Sequence, residues 1–180
     1  SGFGEMLKNA ILSDETEWNR LLAYDLDTFE TTSLAPRISC SLAIKEAIVK
    51  VDPHEEGLRK ALNFGHTFGH ALEALSEGQI AHGYAVVYGM IAELYLSVTL
   101  LDCPKEPLQQ MTQLMLHYYG RPQCNCKDRE RLIAFMLQDK KNERADEINC
   151  TLLHKIGEPI INQVITQEQV AEAWDYLMSL

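Results

Sequence analysis

The sequence predicts a mainly α fold: a helical bundle with one small β-hairpin near the C-terminus. Three observations predict it. Apolar residues recur at helical spacing through most of the chain up to about Gln138, the pattern of helices that bury one stripe. One segment, Tyr84 to Leu101, is apolar nearly all round, as the central helix of a bundle must be. Only after Ile148 does the pattern turn to β-branched runs about a tight turn.

Taken in order, Phe3 to Leu12 is a short helix ended by Ser13-Asp14, and Glu15 to Tyr24 is a second. Ser33 to Val51 is long and amphipathic and stops at Asp52-Pro53, because a residue before proline is driven out of the α region. Glu56 to Ser76 is helical in one piece or two, and Ala85 to Leu101 is the buried helix. "PKEPLQQMTQLMLHYYG", Pro104 to Gly120, begins with prolines and ends on glycine, the usual polarity of a helix. Asp128 to Gln138 follows. Ile148 to Ile165 is a hairpin turning at Gly157-Glu158-Pro159. "TQEQ", Thr166 to Gln169, is a capping box that opens a last helix, Gln167 to Met178. There is no repeat, low-complexity tract or linker, so residues 1–180 read as a single domain. A G-x-G-x-x-G fingerprint and the alternating strands to carry it are missing, so no dinucleotide fold is expected within the chain.

Sixteen basic against 26 acidic residues leave a net charge of −10. That balance argues against nucleic acid or an anionic membrane as partner. A small anionic substrate requires cations gathered into one pocket. Gly89, Glu93, Ser97 and Thr99 interrupt the apolar stretch, and a central Glu is costly in lipid, so the stretch reads as a core helix and not a membrane span. The five cysteines (Cys40, Cys103, Cys124, Cys126, Cys150) are odd in number and scattered. They read as free thiols of a reducing compartment, hence a cytoplasmic protein. Cys124 and Cys126 form a C-x-C, but no second pair completes a structural zinc site. No signal-peptide pattern is visible at the start.

"LNFGHTFGHALEALSEGQIAHGYAV", Leu62 to Val86, holds three of the six histidines. On a helix His66 and His70 share a face, and stepping backwards by three or four adds Asn63, Arg59 and Glu55. Leu62, Phe64, Phe68, Leu72 and Leu75 make the opposite, core face. Gly65 and Gly69 each cost about 1 kcal/mol relative to Ala in a helix, a cost tolerated where a backbone or ligand approaches closely. His82 lies in a Gly-containing turn able to bring it to the same place. Three protein ligands and an open position are what catalytic zinc takes, although two histidines four apart more often decorate a surface. The H-E-x-x-H of zinc proteases is not met, since Thr67 follows His66.

"GFGEMLKNAI", "AIKEAIVKVDPHEEGLRKALNFGHTFGHALEAL", "HGYAVVYGM" and "LQDKKN" together resemble the C-terminal, helical half of the dehydroquinate synthase family, from Gly2 to the hairpin after Asn142. More distantly the chain is similar to glycerol dehydrogenase and the iron-dependent alcohol dehydrogenases. The resemblance implies metal ligands at Glu5, His66 and His82, with zinc, cobalt or another divalent ion. It implies general acid/base roles at Glu55 and His70, and a catalytic role for Lys8 as a cation contacting the substrate. Lys45, Arg59, Asn63 and Lys140 or Lys141 are then substrate contacts, the last pair reaching phosphate. Weighed without the resemblance, Glu5 and Lys8 are a surface pair worth about 0.2–0.5 kcal/mol, Glu55 and Arg59 pair with each other, and the lysines are solvated. The implied reaction turns a seven-carbon keto-acid sugar phosphate of the shikimate pathway into dehydroquinate and phosphate. NAD takes a hydride and returns it. The nucleotide-binding half of such an enzyme lies outside these 180 residues, so the chain alone is expected to be inactive, and the family forms homodimers. Tyr84 stands where Glu is usual after "HG", and Pro53 where an acidic residue is usual; local repacking is expected. A metal-dependent polyol dehydrogenase, a zinc hydrolase or a non-catalytic helical scaffold are the other readings.

Overall fold

The computed structural model describes residues 1–28, 30–139, 142, 144 and 147–180. Helices α1 (Gly2–Ser13), α2 (Glu15–Leu22) and α3 (Thr31–Val51) come first. A 3₁₀ helix (Leu58–Asn63) leads into α4 (His66–Leu75) and α5 (His82–Leu101). Helices α6 (Glu106–Tyr118) and α7 (Arg129–Leu137) precede a hairpin of β1 (Ile148–Lys155) and β2 (Glu158–Ile165), and α8 (Gln167–Ser179) closes the chain.

Helix α5 is the axis of the core and packs against α1, α4, α6, α8 and β1. Val87, Met90, Ile91 and Leu94 are wholly buried on it, and burial of each such side chain contributes about 1.5–3 kcal/mol. The helix is long and apolar enough to cross a membrane, yet 67% of its most apolar stretch is buried inside the protein. Trp174 of α8 packs on Phe68 of α4 with ring centroids 5.0 Å apart. Helix α8 begins with the expected capping box: Thr166 Oγ1 accepts the Gln169 N–H and Gln169 Oε1 accepts the Thr166 N–H.

The hairpin buckles the elements that carry the site. Ile148 pairs with Ile165 and Lys155 with Glu158. The turn is therefore Ile156-Gly157, with Gly157 at φ +79°, one step earlier than Gly157-Glu158-Pro159. Proline without an N–H sits instead inside β2, where the register is irregular. Gly157 N–H donates to the Ile11 carbonyl of α1. Thr67 of α4 donates to the Asn149 carbonyl, Thr151 to the Lys60 carbonyl, and Leu153 N–H to Ser97 Oγ of α5.

Residues 56–76 fold as two pieces, one of the two readings left open, and the continuous stripe from Glu55 to His70 is thereby overturned. Phe64 is extended (φ −53°, ψ 127°) and Gly65 is left-handed (φ +80°), so the 3₁₀ helix and α4 are separate bodies. Glu55 itself has φ +59°. The local reason is Gly65, which adopts positive φ at little cost, and Glu93, whose Oε2 accepts the Gly65 N–H at 2.7 Å. A carboxylate at the positive end of α4 favours a helix start there.

Candidate metal centre

Glu5 comes from α1, His66 from the first turn of α4 and His82 from the first turn of α5. Glu5 Oε1 lies 3.6 Å from His66 Nε2 and 3.5 Å from His82 Nε2, and the three donor atoms all fall within 4.8 Å of one another. Each imidazole is oriented through its other nitrogen. His66 Nδ1 lies 3.2 Å from the Phe64 carbonyl, which only accepts, and His82 Nδ1 lies 2.8 Å from Glu73 Oε1. Both protons thus belong on Nδ1, and both Nε2 atoms turn lone pairs toward Glu5.

Helix α1 reaches this spot because its neighbour is α5 at two glycines. A Cβ on Gly4 would meet the Gly83 carbonyl, and a Cβ on Gly69 would lie 3.0 Å from the Ala85 carbonyl oxygen. Gly69, one of the two glycines flagged by helical cost, therefore serves the approach of a neighbouring backbone.

Three acceptor atoms facing one another fit a cation. Glu5 Oε1 is buried and accepts no hydrogen bond among the described residues, an arrangement that is costly unless a positive charge compensates it. Zinc bound tetrahedrally at about 2.0–2.2 Å holds its ligand atoms about 3.3 Å apart, close to the spacing here. Burial, the largest single effect, works against the charged form of Glu5, but the Lys8 ammonium 2.8 Å from Oε2, together with His66 and His82, holds the carboxyl below the usual carboxylate range. Lys8 is buried, with 2% exposure, so it is no ordinary surface partner.

The other residues singled out from sequence fall into three places. The His70 ring stands 5.4 Å from the His66 ring, and its Nδ1 is 3.6 Å from Asp139 Oδ2. Lys45 of α3 lines a groove of about 440 Å³ that also contains Glu5, Met6 and Asn9. Glu55, Arg59 and Asn63 form a local network: Asn63 Nδ2 donates to Glu55 Oε1 at 3.0 Å, Arg59 Nη1 donates to the Pro53 carbonyl at 2.7 Å, and Arg59 Nε lies 3.9 Å from Glu55 Oε2. Asp52 organises that turn, accepting the N–H groups of Glu56, Gly57 and Arg59. Lys140 and Lys141 lie outside the described residues. Tyr84 packs against Tyr119, with ring centroids 4.7 Å apart.

Three residues whose hydrogen bonds shape the site escaped the sequence reading. Glu73 was legible, since it extends the His66–His70 stripe by three residues. Asp52 looked only like a helix stop, and Glu93 only like an obstacle to a membrane span.

Residues 2–142 match the model of the 3-dehydroquinate synthase C-terminal family. The chain belongs to that family. It is 42% identical over 179 residues to the 3-dehydroquinate synthase of Parabacteroides distasonis, covering 98% of this chain and 50% of that protein. It is 39% identical over 168 residues to the 3-dehydroquinate synthase of Listeria monocytogenes serotype 4b, covering 89% of this chain and 45% of the relative. The chain thus spans about half the length of the curated relatives it matches. Among solved structures it is similar to 2-deoxy-scyllo-inosose synthase complexed with carbaglucose-6-phosphate, NAD+ and Co2+ (TM-score 0.77, 20% identity, 99% of this chain and 50% of that one). It is also similar to 2-epi-5-epi-valiolone synthase from Streptomyces hygroscopicus subsp. jinggangensis 5008 with NAD+ and Zn2+ bound (TM-score 0.73, 18% identity, 99% and 50%). At such identities these two speak for the fold.

Proposed function

We propose that this chain is the metal- and substrate-binding part of a synthase that converts 3-deoxy-D-arabino-heptulosonate 7-phosphate into 3-dehydroquinate and phosphate. The observation that carries this reading is the convergence of Glu5, His66 and His82 from three helices on one point, in a chain of this family. Glu5 Oε1 and the two Nε2 atoms hold the ion, zinc or cobalt, as the solved relatives with Co2+ and Zn2+ suggest. When bound, a divalent ion there supplies Lewis acidity toward substrate oxygens. Lys8, 2.8 Å from Glu5 Oε2, favours the charged form of that ligand and is assigned a catalytic role beside it.

His70, beside His66 and facing Asp139, and Glu55, steadied by Asn63, are assigned to proton transfer. A carboxylate or imidazole placed at the substrate aids removal of a proton next to a ketone and so the departure of phosphate. Lys45, Arg59 and Asn63, with Lys140 and Lys141, gather positive and polar groups for an anionic substrate in a chain of net charge −10. NAD is the hydride carrier by likeness to the NAD+-bound relatives. A cytoplasmic homodimer and a single domain for residues 1–180 complete the reading on the family resemblance.

Two measurements test it. The purified chain carries about one divalent ion, and His66→Ala loses most of it. Phosphate is released from the heptulosonate phosphate with NAD, without net NADH, only when the chain is supplied with the nucleotide-binding half. A metal-free wild type, steady accumulation of NADH, or full turnover by the 180 residues alone overturns the assignment.

A further inference from the structure

We propose that Glu73 is a positioning residue for the metal centre, holding the His82 ring in the one tautomer and orientation that completes the site. This rests on the metal-binding reading above. Glu73 lies on α4 seven residues after His66 and three after His70, so the three share a helix face. Its Oε1 stands 2.8 Å from His82 Nδ1, across the gap between α4 and α5, while His82 Nε2 points at Glu5 Oε1.

The two imidazoles differ in how much the fold holds them. The His66 side chain is 13% exposed and is steadied by a backbone carbonyl. The His82 side chain is 45% exposed and starts a helix, so packing does little to choose its rotamer. A carboxylate on Nδ1–H does that work. It keeps the proton off Nε2, aims the Nε2 lone pair and makes the ring a stronger donor. The Glu73 backbone carbonyl accepts from Ser76 Oγ and Gly78 N; these bonds end α4 and survive a side-chain change.

The test uses the purified chain with Glu73→Ala and Glu73→Gln. Long-range 1H–15N spectra, without metal and at a pH where imidazole is neutral, are expected to show Nδ1–H for His82 in the wild type and a shift toward Nε2–H in Glu73→Ala. Zinc and cobalt affinity, read by competition with a chromophoric chelator, should fall about 10–100-fold in Glu73→Ala. Glu73→Gln, which keeps an accepting oxygen, recovers part of that loss. Thermal stability without metal should stay at the wild-type value in both. Unchanged affinity and tautomer in Glu73→Ala, beside a wild type that binds metal, overturns the role of Glu73 alone. Loss of metal-free stability with an unchanged tautomer also overturns it, assigning Glu73 to helix packing. A wild type that binds neither ion overturns the metal reading and this inference with it.

Discussion

Gly89→Ala sets two effects against each other, and the structure decides which wins. In an isolated helix the change is favourable by about 1 kcal/mol, because glycine is the poorer helix former. Here Gly89 of α5 faces the first turn of α4. An added Cβ would meet the Gly65 carbonyl oxygen and lie 2.8 Å from both the Gly65 carbonyl carbon and the Gly69 nitrogen. All three are backbone atoms, so no side-chain rotation relieves the clash and the helices must separate. Overpacking of this kind costs typically about 1–3 kcal/mol, and a backbone obstacle places it near the upper end. Net destabilisation of about 2 kcal/mol follows, or roughly 4–8 °C in Tm for a chain of this length. Separation also moves His66, which follows Gly65, away from His82 two turns earlier on α5. Zinc affinity should therefore fall at least about tenfold, since ligand distances are set to within about 0.2 Å. Thermal unfolding and chelator competition on the variant measure both, with Gly2→Ala as control, where an added Cβ meets nothing within 4 Å. A Gly89→Ala protein as stable as wild type, or more so, refutes the close-packing argument.

Two further substitutions probe the scaffold around the site. Asp52 is held below the usual carboxylate range mainly by the Gly57 N–H, against some desolvation, with Arg59 and Glu56 N–H groups adding to it. A depressed folded-state value means its contribution is fully present above about pH 4, the unfolded value, and is lost as pH falls through the lower folded one. Protection factors of the Gly57 and Arg59 amides, corrected for intrinsic exchange, should fall across that acid window in the wild type and be low throughout in Asp52→Ala, which has no accepting oxygen; pH-independent protection in both proteins would contradict the assignment. Thr166→Ala removes the cap of α8 and should cost about 1 kcal/mol, a drop of roughly 2–4 °C in Tm. An unchanged melting curve would show that Trp174 and its neighbours hold that helix without the capping box.

Much of the fold was readable because it is local. The apolar period, the prolines before α6 and the Thr166–Gln169 box act within a few residues of chain, and the elements they predicted are present within a few residues of their bounds. The single stripe from Glu55 to His70 was misread because a left-handed glycine is invisible to periodicity. Gly65 looked like a tolerated blemish in a helix, whereas its φ of +80° and its bond to Glu93, 28 residues later, begin a new one.

The candidate site divides along the same line. The sequence by itself determined the helices, the spacing of His66 and His70, and the family motifs that single out Glu5 and His82. It did so because propensity, capping and motif spacing depend on neighbours along the chain. Only the tertiary structure decided that Glu5 Oε1 and two Nε2 atoms meet within 4.8 Å, that Glu73 rather than solvent holds His82, and that Glu93 starts α4. Those contacts join residues far apart in sequence, and they form only because α1, α4 and α5 pack backbone to backbone at glycines.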